Sequence, residues 1–164
     1  MTKKYSVLFV CIHNSARSQM AEAFLREIGG DYFTAASAGL EAGSLNPLVV
    51  KVMNEIGLDI STQSTDDVDS VIQRGDRFNY VITVCDAANA QRCPIIPGTI
   101  QTLHWSFEDP AVLLGDDEEK IKKVRVIREI IREQICAFVE SFGISVAPDP
   151  VQDTSSYLDN ILQS

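Results

Sequence analysis

Residues 5–10 form an apolar run rich in β-branched and aromatic side chains, and Cys11 closes it. After a gap of five residues come Arg17 and Ser18. From there Met20, Ala23, Phe24 and Ile28 recur at helical spacing until Gly29-Gly30. A strand this apolar belongs in a parallel sheet covered on both faces by helices. Its carboxyl end is where such sheets hold their ligands. This junction restricts the chain to a strand–loop–helix architecture with a cysteine poised at a helix N-terminus.

The rest of the chain continues the alternation. Residues 33–38 read as a short strand ending at Gly39. "GSLNPLVVKVMNEIG" gives a helix capped by Asn46, with Pro47 in its first turn and Gly57 after its end. Residues 66–73 predict a weaker helix. "NYVITV" (79–84) is a third strand and also ends in a cysteine, Cys85, while residues 99–105 suit a fourth. Asp116, with Glu119 three residues on, resembles a capping box opening a long helix. The stripe of that helix is Ile121, Val124, Arg128, Ile131, Ile135, Phe138 and Phe142, apolar except at Arg128.

Such alternation predicts an α/β fold of three layers, a four-stranded parallel sheet with helices on both faces. Cys11, Cys85 and the segment after Trp105 then meet on one edge of the sheet. Residues 1–143 are expected to form a single catalytic domain. Residues 144–164 read as a C-terminal tail, in which Tyr157, Leu158, Ile161 and Leu162 pattern a short docking helix.

At 164 residues, 45% hydrophobic and 23% charged, the chain suits one ordinary core. Its 14 basic and 23 acidic residues leave a net charge of −9, which argues against nucleic-acid or anionic-membrane partners. An anionic substrate therefore needs a local positive site. No apolar stretch approaches the roughly 20 residues of a membrane span. The charged-then-apolar start lacks a cleavage site and is not read as a signal peptide. The cytoplasm is the expected compartment, where Cys11, Cys85, Cys93 and Cys136 stay mostly reduced.

A loop that leaves a strand and enters a helix can turn its N–H groups inward, and the helix N-terminus adds partial positive charge. Residues Ile12, His13, Asn14, Ser15, Ala16, Arg17 and Ser18 are thus candidates to cradle a tetrahedral oxyanion. Arg17 offers a planar fork for two oxygens. The same positive surroundings favour the Cys11 thiolate. Ser18 can donate to that sulfur, and Asn14 can brace the loop in a left-handed conformation. His13 and His104 are given structural or solvent roles, and Cys136 a packing role.

"VLFVCIHNSARSQMAEAF" resembles the catalytic loop and first helix of the low-molecular-weight protein tyrosine phosphatase superfamily. "SAGL", "NPLVVKVMNEIGLDIS", "YVITVCDAA", "RCPIIPG" and "HWSFEDPA" continue the resemblance to about residue 142. The later cysteines and "HWSFEDPA" are similar to the arsenate reductases built on that fold.

The resemblance implies that Asp109 is the acid protonating a departing oxygen, with Glu108 its neighbour. It implies a relay in which Cys11 attacks arsenate (phosphate and sulfate being analogues), a Cys11–Cys85 disulfide follows, then a Cys85–Cys93 disulfide. An external dithiol, thioredoxin, closes the cycle, and no bound cofactor is needed. The resemblance also offers Asn14, Glu22, Ser37 and Asp66 as monovalent-cation ligands.

Three departures from the pattern stand out. Seven residues separate Cys85 from Cys93, one more than in the reductases resembled; Ala16 stands where some relatives carry cysteine; Ala111-Val112 replaces the aromatic grip for a phenyl ring. The segment "DAANAQR" between the two cysteines reads as a polar loop without strong structure, suited to a cysteine that must travel. Two rival readings remain open. One is a phosphatase of the same fold acting on phosphate monoesters. The other is a non-catalytic thiol module binding arsenic or serving redox exchange.

Overall fold

The computed structural model describes residues 4–147. Four strands, β1 (Tyr5–Cys11), β2 (Phe33–Gly39), β3 (Tyr80–Thr83) and β4 (Gln101–His104), form one sheet in the order β2-β1-β3-β4. All three pairings are parallel, with Val10 opposite Ala38 on one side and Thr83 on the other. The chain leaves β1 toward β2 and later returns to β1's other flank as β3. The crevice between the carboxyl ends of β1 and β3 is therefore the topological switch point.

Among the described residues, α1 (Arg17–Gly29), α2 (Pro47–Asn54), α3 (Val68–Gln73) and α4 (Ala87–Ala90) lie between the strands, and α5 (Asp117–Glu140) follows β4. The starts of α2 to α5 are set by side chains that accept orphan N–H groups. Asn46 takes the N–H of Leu48 at 3.0 Å, Asp67 that of Ser70 at 2.7 Å, and Asp116 that of Glu119 at 2.9 Å. The expected strands and long helices are thus present, with ends shifted by one or two residues.

The pleat divides the sheet between two apolar clusters. Val7, Phe9, Cys11, Ile82 and Val84 pack with residues of α1, α2 and α5. Leu8, Val10, Ala38 and Val81 pack on the other face with Val68 and Val71 of α3. The three-layer arrangement follows, with the heavier helical layer on the α1/α5 side. At the strands' amino ends, Tyr5, Phe33, Tyr80, Phe138 and Phe142 form an aromatic cluster with ring centroids 5.1–6.2 Å apart. That cluster anchors the end of the sheet opposite the cysteines.

Ile144 and Val146 still touch the core. The expected docking helix around Tyr157, Leu158, Ile161 and Leu162 lies outside the described residues. Among the described residues, no helix is long and apolar enough to cross a membrane.

The polar interruption of the α5 stripe has a physical reason. Arg128 is buried, and its Nη1 donates to the Val52 carbonyl at 2.7 Å, near the end of α2. Glu129 accepts from its Nε at 2.9 Å, and Glu55 lies 3.4 Å from Nη1. The guanidinium therefore ties α5 to α2 while satisfying a helix-end carbonyl. Removing it leaves that carbonyl unpaired in an apolar setting. Arg128→Ala is expected to lower stability by about 2–4 kcal/mol, the half-exposed Glu55 keeping the loss below that of a fully buried pair. Urea unfolding with an unchanged slope would report it.

Candidate active site

The loop from residue 12 to 16 turns β1 into α1 in a tight arc. Asn14 makes this turn in the left-handed region, at φ 53°, which asparagine tolerates better than most residues. The loop's carbonyls are spent outward. Leu40 N–H takes the Cys11 carbonyl and Glu41 N–H the Ile12 carbonyl, each at 2.9 Å, while Asn46 N–H takes the Ser15 carbonyl at 2.9 Å. Gly39 and Gly43 permit this close packing. A Cβ on Gly39 would stand 2.7 Å from the Asn14 nitrogen and collide with the Glu41 carbonyl, and one on Gly43 would stand 2.7 Å from the His13 carbonyl.

With the carbonyls occupied outward, the N–H groups face the opposite way. Asn14 N–H points at the Cys11 sulfur at 3.2 Å. Among the described residues, the N–H groups of Ser15, Ala16, Arg17 and Ser18 have no acceptor in the chain. They stand at the N-terminus of α1, a 13-residue helix, and form a concave nest for an anion.

Cys11 is buried, and its sulfur lies 2.8 Å from Ser18 Oγ. Asn14 Nδ2 donates to that same hydroxyl at 2.9 Å. Asn14 Oδ1 in turn accepts from Asp66 N–H at 3.0 Å and from Gln19 Nε2 at 3.1 Å. The loop's brace is thus itself braced from α1 and from the start of the α3 segment.

Arg17 is 6% exposed yet carries an ion pair, its Nη2 3.3 Å from Asp109 Oδ2. Its Nη1 donates to the Phe107 carbonyl at 3.2 Å. Asp109 uses its other oxygen to accept Ala111 N–H at 2.9 Å, capping a single 3₁₀ turn at Pro110–Val112. Asp109 thus divides its two oxygens between the turn and the Arg17 guanidinium. Glu108 is exposed and faces a surface groove with Lys123.

Cys85 follows β3 directly and is fully buried beside the switch point. Burial pushes its thiol up; the Arg17 charge opposes this, and the charges of Asp86 and Cys11 add to it. Cys93 is half-buried, among Val81, Ala90, Pro94 and Ile96 on the α3 face of the sheet. Burial pushes its thiol up to about 11, with Cys85 adding. All four cysteines carry free thiols.

The segment between Cys85 and Cys93 corrects the expectation of a loop without structure. It contains α4, whose N–H of Asn89 is capped by Asp86 at 3.0 Å. Arg92 pairs with Glu41 at 3.6 Å, and Glu41 reaches His13 of the oxyanion loop at 3.7 Å. None of the four α4 residues is buried, so little apolar contact opposes its rearrangement.

His104 lies on the sheet, Nδ1 2.8 Å from Thr83 Oγ1. Cys136 sits half-buried on α5, with Arg132 Nη1 3.9 Å away. Glu22 and Ser37 come together, with Ser37 Oγ donating to Glu22 Oε1 at 3.3 Å. Burial raises the Glu22 carboxyl against the opposing charge of Arg26, and nearby Asp66 adds to the rise. Among the described residues, no three His, Cys, Asp or Glu side chains gather as a metal site.

Gln19, Gln63 and the Phe107 carbonyl are absent from the residues singled out in sequence, where Gly39 figures only as a strand end. Only Gln19 left a trace there. It is a large amide directly after Ser18, at a position on the first turn of α1 that the fold buries completely.

The family model for low molecular weight phosphotyrosine protein phosphatase matches residues 6–143. The arsenate reductase of Halalkalibacterium halodurans is 43% identical over 142 residues, 86% of this chain and 99% of that protein. A solved structure described as an arsenate reductase in the phosphate binding state superposes with a TM-score of 0.67 at 28% identity, covering 84% of this chain and 98% of the other. The thioredoxin-dependent arsenate reductase of Corynebacterium glutamicum superposes with a TM-score of 0.56 at 29% identity, covering 82% of this chain and 63% of its own.

The burial of Cys93 has a direct chemical consequence. A thiol whose midpoint lies at about 11 is on the order of a thousandfold less ionised at pH 8 than a free thiolate. In the reduced protein, iodoacetamide should therefore alkylate Cys93 about tenfold faster per pH unit from pH 8 upward. Peptide mass mapping of the labelled chain reads this, and a plateau near pH 8.5 would contradict the packed position of Cys93.

Proposed function

Since the chain belongs to the low molecular weight phosphotyrosine protein phosphatase family, we propose that it reduces arsenate to arsenite through Cys11, Cys85 and Cys93, residues 1–143 forming the catalytic unit. The observation that carries this reading is Cys85. It is buried at the end of β3, near enough for the charges of Arg17 and Cys11 to act on its ionisation. A simple phosphatase has no use for a second thiol there.

An arsenate dianion seated on the loop N–H groups competes with Asp109 for the Arg17 fork. Bidentate binding of two oxygens suits the guanidinium better than the single contact at 3.3 Å. Cys11 attacks arsenic, an S–As bond forms, and one As–O bond breaks. The departing oxygen leaves as water with the proton of Asp109. The Cys85 thiolate then attacks the Cys11 sulfur. The S–As bond breaks with both electrons passing to arsenic, so As(V) becomes As(III) and leaves as arsenite.

A Cys11–Cys85 disulfide remains. Cys93 attacks Cys85, and Cys11 departs as a thiolate. An external dithiol reduces the Cys85–Cys93 disulfide, and the thioredoxin dependence of the Corynebacterium relative supports thioredoxin in that role. The high Cys93 midpoint delays its attack until the segment leaves its packed position. The relay requires a compartment that keeps thiols reduced, which favours the cytoplasm.

A monovalent cation fits beside the loop. The Glu22 carboxylate, Ser37 and Asp66 are hard oxygen donors beside Asn14, whose Oδ1 already accepts from Asp66 N–H and Gln19 Nε2, and buried Glu22 lacks full compensation of its charge. A cation there would supply positive charge against Glu22 and steady the residues that brace Asn14.

Cleavage of phosphate monoesters by Cys11, Arg17 and Asp109 is the second reading, favoured by the Arg17–Asp109 contact. The 3₁₀ turn at Pro110–Val112 presents no aromatic side chain for a phenyl ring, which argues against phosphotyrosine. A non-catalytic thiol module is disfavoured, because arsenite capture needs neither an oxyanion nest nor an arginine fork.

Arsenate-dependent NADPH oxidation, coupled through thioredoxin and its reductase and run beside a phosphate-ester assay, separates these readings. Cys11→Ser should abolish both activities. Cys85→Ser and Cys93→Ser should each end multiple turnover of arsenate while sparing ester cleavage. Continued turnover by Cys93→Ser would mean that the seven-residue spacing has broken the final exchange. Asp109→Asn should lower ester cleavage by roughly 10²–10⁴-fold in kcat. A loss seen only in KM would remove Asp109 as the acid.

A further inference from the structure

We infer that residues 157–162 of this chain dock in a groove between α5 and the segment that follows β4. Tyr157, Leu158, Ile161 and Leu162 are laid there against Val126, Ile127 and Ile130. This docking is independent of the proposed reaction. The core explains one stripe of α5, from Ile121 through Val124, Arg128 and Ile131 to Ile135. Lys123, Val126, Ile127 and Ile130 recur at i, i+3, i+4 and i+7 and form a second stripe beside it. Val126 is half-buried and Ile130 is 49% exposed. Phe107, also half-buried, lines the same groove from the segment after β4. Single exposed apolar residues are ordinary, but a ridge at helical spacing beside an aromatic ring calls for a cover.

The chain's own C-terminal segment fits as that cover. Gly143, at φ 78°, ends α5 and turns the chain back. Ile144 and Val146 then pack on the same core cluster as Phe107 and Ile127. The stretch of α5 from Ile130 to Glu140 is about 15 Å long. Residues 148–156 can span up to about 30 Å when extended, so the groove is within reach. On a helix, Tyr157, Leu158, Ile161 and Leu162 share one face, the pattern of a helix laid into an apolar groove. The segment lies beyond the family match, which ends at residue 143.

Charge selects this groove over the other exposed apolar surface. Residues 148–164 carry Asp149, Asp153 and Asp159 and no lysine or arginine. Lys123 lines the groove, and among the described residues it makes no ion pair. Asp159 borders the apolar face of the segment, where it can meet that lysine. Glu108 also lines the groove and repels the aspartates, so the apolar contacts carry the docking and Lys123 sets its place. The rival surface surrounds Ile95, which is 94% exposed, in a groove beside Cys93 lined by no charged side chain. A docked segment packs on Phe107, whose carbonyl accepts from Arg17 Nη1 at 3.2 Å, and so covers the segment that leads to Asp109.

Hydrogen exchange of the full chain, read by mass spectrometry, tests the docking. Amides of residues 157–162 should exchange about tenfold slower than in a free peptide of residues 148–164. Ile130→Asp sets a carboxylate beneath the apolar face and should return them to within about twofold of the free rate. Lys123→Glu should cost about threefold of the protection, the scale of an exposed ion pair. Ile95→Asp should leave the protection unchanged.

Exchange at the free-peptide rate in the wild type overturns the inference. So does protection that survives in folded Ile130→Asp, or that is lost in Ile95→Asp. If circular dichroism shows Ile130→Asp unfolded, carbodiimide cross-linking of the wild type decides, in an equal mixture of isotope-labelled and unlabelled chains. A link from Lys123 to Asp159 or Asp153 within one label supports the docking. Links between labels place the segment on a second copy of the chain and overturn it. Links that join these aspartates to other lysines and pass over Lys123 overturn it equally.

Discussion

The loop between β1 and α1 must pass from extended to helical backbone within five residues while keeping its N–H groups free for a ligand. It does so because its carbonyls are claimed from outside by Leu40, Glu41 and Asn46. Those claims depend on the chain after β2 lying directly on the loop, which Gly39 and Gly43 allow by carrying no Cβ. The anion site is therefore a consequence of backbone accounting. Once each carbonyl has a donor on one side, the N–H groups and the helix N-terminus are left on the other. That arrangement would let a chain of net charge −9 hold the proposed dianion.

The three thiols of the site occupy three distinct environments, and the distinction orders the chemistry. The Cys11 sulfur accepts from Asn14 N–H and lies within hydrogen-bond distance of the Ser18 hydroxyl. Cys85 is fully buried, and the Arg17 charge and its own backbone N–H only partly offset the cost of its charge. Cys93 is packed on the opposite face of the sheet and stays a thiol at neutral pH. The attack order proposed for the relay matches this gradient of hydrogen bonding and desolvation. In the proposed relay, the attack by Cys93 requires α4 and the Arg92–Glu41 pair to yield. Exposed pairs of that kind contribute little stability, so the barrier is modest.

Much of the fold was legible because it follows from periodicity. The apolar strands, the caps at Asn46 and Asp116 and the stripe of α5 each carry a local signature. The placement of Cys11, Cys85 and Asp109 on one edge also followed, since parallel strands with right-handed crossovers put their carboxyl ends together. The chemistry-bearing types were recognisable for the same reason: a cysteine closing a buried strand, an arginine at the first helical position, an aspartate before proline. Arg128 was visible as an anomaly in an apolar stripe, but its cause, the Val52 carbonyl at the end of α2, is a contact across 76 residues of sequence.

What only the tertiary structure decided are the properties that depend on direction and burial. α4 is too short for a periodic signal and is held by caps and an ion pair, so "DAANAQR" read as loop. The half-burial of Cys93 against the α3 face depends on which side of the sheet the segment crosses. The amide orientations of Gln19 and Asn14 are fixed by carbonyls and donors drawn from residues 14, 63, 64 and 66. The sequence by itself determined which groups are present and which edge they share. Hydrogen-bond direction and desolvation belong to no single segment, and they arise only when distant parts of the chain are packed against one another.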